Sequence, residues 1–212
     1  MENPVIIFGA KGQAITALEI FQSNGNLIYC FLDDEIKLHG KELHDITIMG
    51  ATDDDGFLKL IGKKCDAFVA IENTKQREFI AQMLLEKRKV MPVNAIHAKS
   101  YISTFATIGH GNLISAGASI GADSTIGSFC VVNTNATIDT GVEISDLVQI
   151  GAGTVINSGV IIEKGVFIGS GVTIISGITI GKNARIGAGS VVMASVKAGQ
   201  TVFGVPAVEV KN

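Results

Sequence analysis

A chain of 212 residues with 47% hydrophobic content is long enough for two domains and a sizeable core. Its 17 basic and 20 acidic side chains leave a formal charge of −3, so no basic face is available for nucleic acid. The longest apolar runs are strand-length and Pro4 to Phe8 runs directly into a glycine turn, so neither a membrane span nor a leader is expected and the protein reads as cytoplasmic.

In chain order, PVIIF at residues 4–8 reads as a buried strand. It leads through Gly9-Ala10-Lys11-Gly12-Gln13 into a helix with apolar Ala14, Ile15, Leu18, Ile20 and Phe21. A strand, a glycine turn and a helix N-terminus can together hold an anion on free backbone N–H groups. The spacing is Gly-x-x-Gly, short of a dinucleotide fingerprint, so a plain tight turn is the equal alternative. Asn26 to Leu32 reads as a second strand ending in Asp33-Asp34. Carboxylates at that edge of a parallel sheet either meet sugar hydroxyls or are simply solvated. Asp66 to Ile71 reads as a third strand ending at Glu72-Asn73, and Thr74 is expected to cap a helix running to about Lys89. Residues 1–92 are therefore expected to form a small Rossmann-like βαβ domain, joined by a connector at 93–101 to a repetitive C-terminal half.

From Ile102 a β-branched residue recurs every six positions to Val192, sixteen times without a slip. The position two before each is small or aliphatic, as at Ala118, Cys130, Ala136 and Val148, with Asn112 the one amide. This period marks a parallel β-helix of hexapeptide repeats, mainly β, over 102–203, with a turn and tail at 204–212. Both positions point inward because side chains alternate across a strand. Glycines such as Gly109, Gly121, Gly127, Gly151, Gly169, Gly181 and Gly187 come directly after the branched residue, where a tight corner is expected to need them. Outward residues Leu113, Val131, Gln149, Phe167 and Arg185 are spaced by eighteen and should stack on one wall, serving either a subunit contact or an apolar ligand cleft. Cys30, Cys65 and Cys130 lack zinc or disulfide spacing, Cys130 reads as core, and no metal is expected.

Several stretches in the right order resemble one family across essentially the whole chain: IIFGAKGQA at 6–14, FLDD at 31–34, AI-N at 70–73, NAIHAKSYIS at 94–103, VVNTNATID at 131–139 and FGVPA at 203–207. The family is that of the bacterial sialic-acid O-acetyltransferases and UDP-amino-sugar N-acetyltransferases, hexapeptide-repeat acyltransferases. The resemblance implies a left-handed β-helix, a homotrimer, and acetyl-CoA as co-substrate in the cleft between neighbouring helices. It also implies a nucleotide sugar or other sugar acceptor on the N-terminal domain, with a role in surface-polysaccharide synthesis. Carried over by position, the acceptor residues are Gly9, Lys11, Gly12, Gln13, Asp33, Asp34, Glu72 and Asn73. Those for acetyl-CoA are Gln149, Ser170, Ala188, Gly204 and Pro206.

The family's catalytic histidine comes after an acidic residue in an Asn-Thr-x-Ala-x-x-acid-His motif. Here the motif ends Asp139-Thr140, which leaves Asp139 and Thr140 as the catalytic candidates. Gln149 and Gln13 also stand at family histidine positions, and Glu72 stands where the family has glycine. His110 is five hexads from Thr140, on a different edge and about 8 Å away along the axis at ~4.8 Å per coil, so it reads as a corner residue. The expectation is a CoA-dependent sugar acetyltransferase. The alternatives are a non-catalytic trimer that keeps a ligand and a purely structural solenoid.

Overall fold

Val5, Ile6, Ile7 and Phe8 are all buried, as a strand flanked by parallel neighbours and covered on both faces requires. The computed structural model describes residues 3–210. They fall into two units, one ending at Ala98 and the other starting at Lys99.

In the first unit β1 (Val5–Phe8), β2 (Ile28–Leu32), β3 (Glu42–Leu43), β4 (Ile46–Gly50) and β5 (Asp66–Val69) form one sheet in the order β3-β4-β2-β1-β5. Only β3 is antiparallel to its neighbour; β4, β2, β1 and β5 run parallel. The β3–β4 hairpin and the short helix α2 (Asp55–Leu58) add to the three strands expected from sequence. Their one cue was Ile46-x-Ile48, an alternation too short to separate from a loop. Helix α1 (Gln13–Ser23) buries Ala14, Ala17, Leu18, Ile20 and Phe21, while Ile15, expected on that face, is exposed. Phe21 meets Phe68 of β5 edge-on, with ring centroids 5.5 Å apart. Helix α3 (Thr74–Arg88) is capped by Asn73 rather than by Thr74: the Asn73 side-chain oxygen accepts from the Gln76 amide at 3.1 Å, and Thr74 is the first helical residue. Strand β6 (Ala95–Ile96) lies beside α1, where Asn24 donates to the Ile96 carbonyl at 2.8 Å.

The second unit is a left-handed parallel β-helix. Sixteen two-residue strands run from β7 (Tyr101–Ile102) to β22 (Val191–Val192) and stack into three walls. The pairs are in register at a spacing of eighteen, so Val131 lies on Leu113, Gln149 on Val131, Phe167 on Gln149 and Arg185 on Phe167. Strand β23 (Thr201–Gly204) extends this third wall and turns back antiparallel into β24 (Ala207–Glu209).

Inside, the branched residues are sealed from water, as at Ile120, Ile150, Ile168 and Ile180. Each contributes roughly 2–3 kcal/mol by burial. Polar residues at the small inward position bond to the next coil. Asn112 donates to the Gly127 carbonyl at 2.9 Å and accepts from the Cys130 amide at 2.7 Å. Thr154 donates to the Gly169 carbonyl at 2.9 Å, and Cys130 is buried with its thiol toward the Ser145 carbonyl.

The glycines after the branched residues are there for a reason other than a tight bend. Gly109, Gly121 and Gly127 have ordinary negative φ; a Cβ at Gly109 would stand 2.6 Å from the Gly127 carbonyl oxygen, and one at Gly121 would stand 2.9 Å from the Thr140 amide. Backbone rests on backbone between coils, and there is no room for a side-chain carbon. The positive φ values fall on a second glycine set, such as Gly141 at +69°, where a Cβ would meet nothing within 4 Å.

Candidate functional site

The carboxyl ends of β1, β2, β4 and β5 open into a cavity of ≈ 710 Å³, within the range that takes a drug-sized ligand. Open parallel sheets bind ligands at this edge. Seven of the eight acceptor candidates line it: Gly9, Lys11, Gly12, Asp33, Asp34, Glu72 and Asn73. Gln13, the eighth, is the first residue of α1 and does not line it.

Each lining residue has a local cause. Gly9 has φ +96° and its Cα faces the Ala70 carbonyl, which a Cβ would approach to 2.9 Å; only glycine lets β1 and the end of β5 come this close. Gly12 is the N-cap of α1, at φ 49°, and offers that helix no side-chain cap. The Glu72 side chain lies against Gly12, with its carboxyl carbon 2.9 Å from where a Cβ would be. Asp33 ties the turn to β2: one of its oxygens accepts from the Ala10 amide and the other from the Glu35 amide, both at 2.9 Å. Asp34 accepts at a single oxygen from the Thr52 amide at 2.9 Å and the Thr52 hydroxyl at 2.8 Å. Lys11 is ion-paired with Glu35. Asn73 commits its side-chain oxygen to the cap of α3, whose buried Arg77 donates to the Ile71 and Glu72 carbonyls and fixes the peptide carrying Glu72.

Sequence reasoning missed Thr52, Gln76, Phe79 and His39. Thr52 comes just after β4, and nothing local to the sequence shows that β4 lies next to β2. Gln76 and Phe79 line the cavity from α3, and Phe79 is 70% exposed there. His39, read as a loop residue without signal, has its ring nitrogen 2.7 Å from the Asp33 carbonyl oxygen.

On the β-helix, Asp139 and Thr140 form an exposed corner after the strand Thr137–Ile138, which belongs to the first wall. The Thr140 amide donates to an Asp139 carboxylate oxygen at 2.7 Å, and the buried Ser124 hydroxyl donates to the Asp139 carbonyl at 2.8 Å. The corner is held by these two hydrogen bonds and carries a carboxylate and a hydroxyl. His110 lies exposed at a different corner, after Thr107–Ile108 of the second wall. Gln149, Ser170, Ala188 and Gly204 succeed one another up the third wall and its trailing corner, and Pro206 lies in the turn beyond β23. Above Gln149 the guanidinium of Arg185 sits 4.7 Å from the Phe167 ring centroid. Within one chain the Asp139–Thr140 corner and this edge are on different corners of the triangle.

Among the described residues no three His, Cys, Asp or Glu side chains converge as a metal site. No helix of the described residues is long and apolar enough to cross a membrane.

Residues 4–84 match the model of the PglD N-terminal domain, and residues 159–194 match that of the bacterial transferase hexapeptide (six repeats). Among solved structures, a histidine-to-asparagine mutant of perosamine N-acetyltransferase from Caulobacter crescentus, in complex with CoA and GDP-perosamine, is 26% identical. The match covers 99% of this chain and 98% of that one, with a TM-score of 0.91. WeeI from Acinetobacter baumannii AYE is 27% identical over 99% of this chain and 100% of that one, with a TM-score of 0.86. The acetyltransferase domain of PglB from Neisseria gonorrhoeae FA1090, in complex with acetyl coenzyme A, shares the fold at 24% identity, a TM-score of 0.90 and coverage of 99% and 100%. No curated protein sequence matches the chain.

Proposed function

We propose, from the premise that this chain joins a PglD-type N-terminal domain to the hexapeptide β-helix of the sugar acetyltransferases, that it transfers acetyl from acetyl-CoA to an amino or deoxy sugar, nucleotide-linked or free. The observation that carries this reading is the full-length likeness to perosamine N-acetyltransferase, a protein held in that structure with both CoA and a nucleotide sugar. The cavity built from Gly9, Gly12, Asp34 and Glu72 supports it as the acceptor site. In surface-polysaccharide synthesis such a step would modify the sugar before assembly.

The chemistry joins the acceptor nitrogen or oxygen to the thioester carbonyl carbon. The carbonyl π electrons move to oxygen, and collapse of that oxyanion breaks the C–S bond, with the acceptor proton ending on the CoA sulfur. A base near the acceptor and donors near the oxyanion lower this barrier. At the Asp139–Thr140 corner the carboxylate is the available base and the Thr140 hydroxyl orients the acceptor or a water. An amine already partly deprotonated needs chiefly positioning, whereas a hydroxyl needs the ~10² to 10⁴ of general-base help. The amine is therefore the better acceptor here, and N-acetylation the favoured outcome. In a homotrimer, a neighbouring chain's Gln149–Ser170–Ala188–Gly204 edge would face this corner and hold the pantetheine arm, with Pro206 toward the adenine.

The second reading, a binding or scaffolding trimer without turnover, is favoured by the resemblance, which implies that Thr140 takes the position of the family's histidine. Calorimetric titration with acetyl-CoA, then an assay of CoA release with amino-sugar acceptors, separates the two. Micromolar binding at one site per subunit, with turnover that Thr140→His raises about a hundredfold, is the expected result. Absence of binding by a folded trimer would favour the second reading.

A further inference from the structure

The charge of the cavity is the reverse of what a diphosphate would select. Among the described residues Lys11 is the one cation lining it, and it is ion-paired with Glu35, which pairs with Lys37 as well. Against it stand Asp33, Asp34 and Glu72. Glu72 has the most telling place. Helix α1 is eleven residues long, follows its N-cap Gly12 with no side-chain cap and has no acidic residue in its first turn, so its positive end would receive an anion at the glycine turn. The Glu72 side chain lies there, against the Gly12 Cα. Its main chain is fixed by Arg77, and Asn73 next to it is fixed by the cap of α3, so two contacts from one helix hold the backbone from which this carboxylate reaches the turn.

We propose that Glu72 is a specificity-determining residue that takes the anion position of the glycine turn from within the protein. The cavity then prefers an acceptor that brings an ammonium or hydroxyl group to the turn over one that brings a nucleoside diphosphate. This rests on the reading of the cavity as the acceptor site and narrows it to an amino sugar free of diphosphate. A neutral glutamine at this position keeps the shape and removes the repulsion, and glycine removes both.

The test uses the full chain, wild type, Glu72→Gln and Glu72→Gly, titrated with UDP, GDP and D-glucosamine by NMR shift mapping at low and high salt. Expected are weak UDP and GDP binding by the wild type, about tenfold tighter binding by both variants at 50 mM salt, and collapse of that gain at 0.5 M. Glucosamine should bind severalfold more weakly to Glu72→Gln. Equal UDP affinity in wild type and Glu72→Gln, with shifts confined to the cavity, would overturn the role of Glu72 and leave the acceptor site standing. Absence of cavity shifts with all three probes in all three proteins would overturn both.

Discussion

Two glycines separated by twenty residues show what a single hydrogen in place of a methyl group does in this fold. Gly121 faces the Asp139–Thr140 backbone of the next coil, whereas Gly141 has open space around it and only its φ of +69° to defend. Gly121→Ala must push two coils apart and should cost roughly 3 kcal/mol or more. Gly141→Ala should cost only about 1 kcal/mol, the left-handed penalty. Urea unfolding of both variants gives the ranking, and Gly121→Ala should also disturb the amide signal of Thr140. The thiol of Cys30, pushed up to about 12 by burial and, less, by the nearby Cys65, is another residue-scale lever. The native chain holds this proton where an unfolded chain, with its ordinary value of 9.0, releases it. Stability from the protonated thiol is therefore full below pH 9 and is lost as pH rises toward 12. The expected loss between pH 8 and pH 10 is about 1 kcal/mol in urea unfolding, and Cys30→Ala should flatten that slope.

At the scale of elements, the hexad period made the β-helix legible, because sixteen strands repeat one environment and every repeat restates it. The register of the third wall, Leu113 to Arg185, came from spacing alone. The N-terminal sheet was less legible. Three of its parallel strands, β1, β2 and β5, were visible as apolar runs, yet the parallel β4 and its hairpin partner β3, at five and two residues, carried too little pattern to be seen. The candidate site divided the same way. Gly9, Gly12, Asp33 and Asp34 were visible because they close strands β1 and β2, while Thr52 and Phe79 depend on which elements become neighbours in space. The start of α3 shows how close two readings can be: Asn73 and Thr74 are both good caps, and the geometry gives the role to Asn73. Asn73→Ala should lower stability by about 1 kcal/mol and speed hydrogen exchange in the first turn of α3.

For the whole molecule, the outer surface of the β-helix points to association. Val155, Ile161, Phe167, Met193 and Phe203 are all more than a third exposed, and few charges lie among the repeats. Sedimentation should give three times the 22.2 kDa chain mass, and a charge introduced at Ile161 should shift it toward monomer without unfolding the coils.

The triangular cross-section also makes the Asp139–Thr140 corner and the Gln149–Gly204 edge separable by genetics. If each working site takes its corner from one chain and its edge from the next, a chain with a ruined corner and another with a ruined edge are each inert alone. Mixed in equal amounts and reassembled at random, they would recover up to about a quarter of the sites. The two lesions would complement each other as two genes do, although both lie in one.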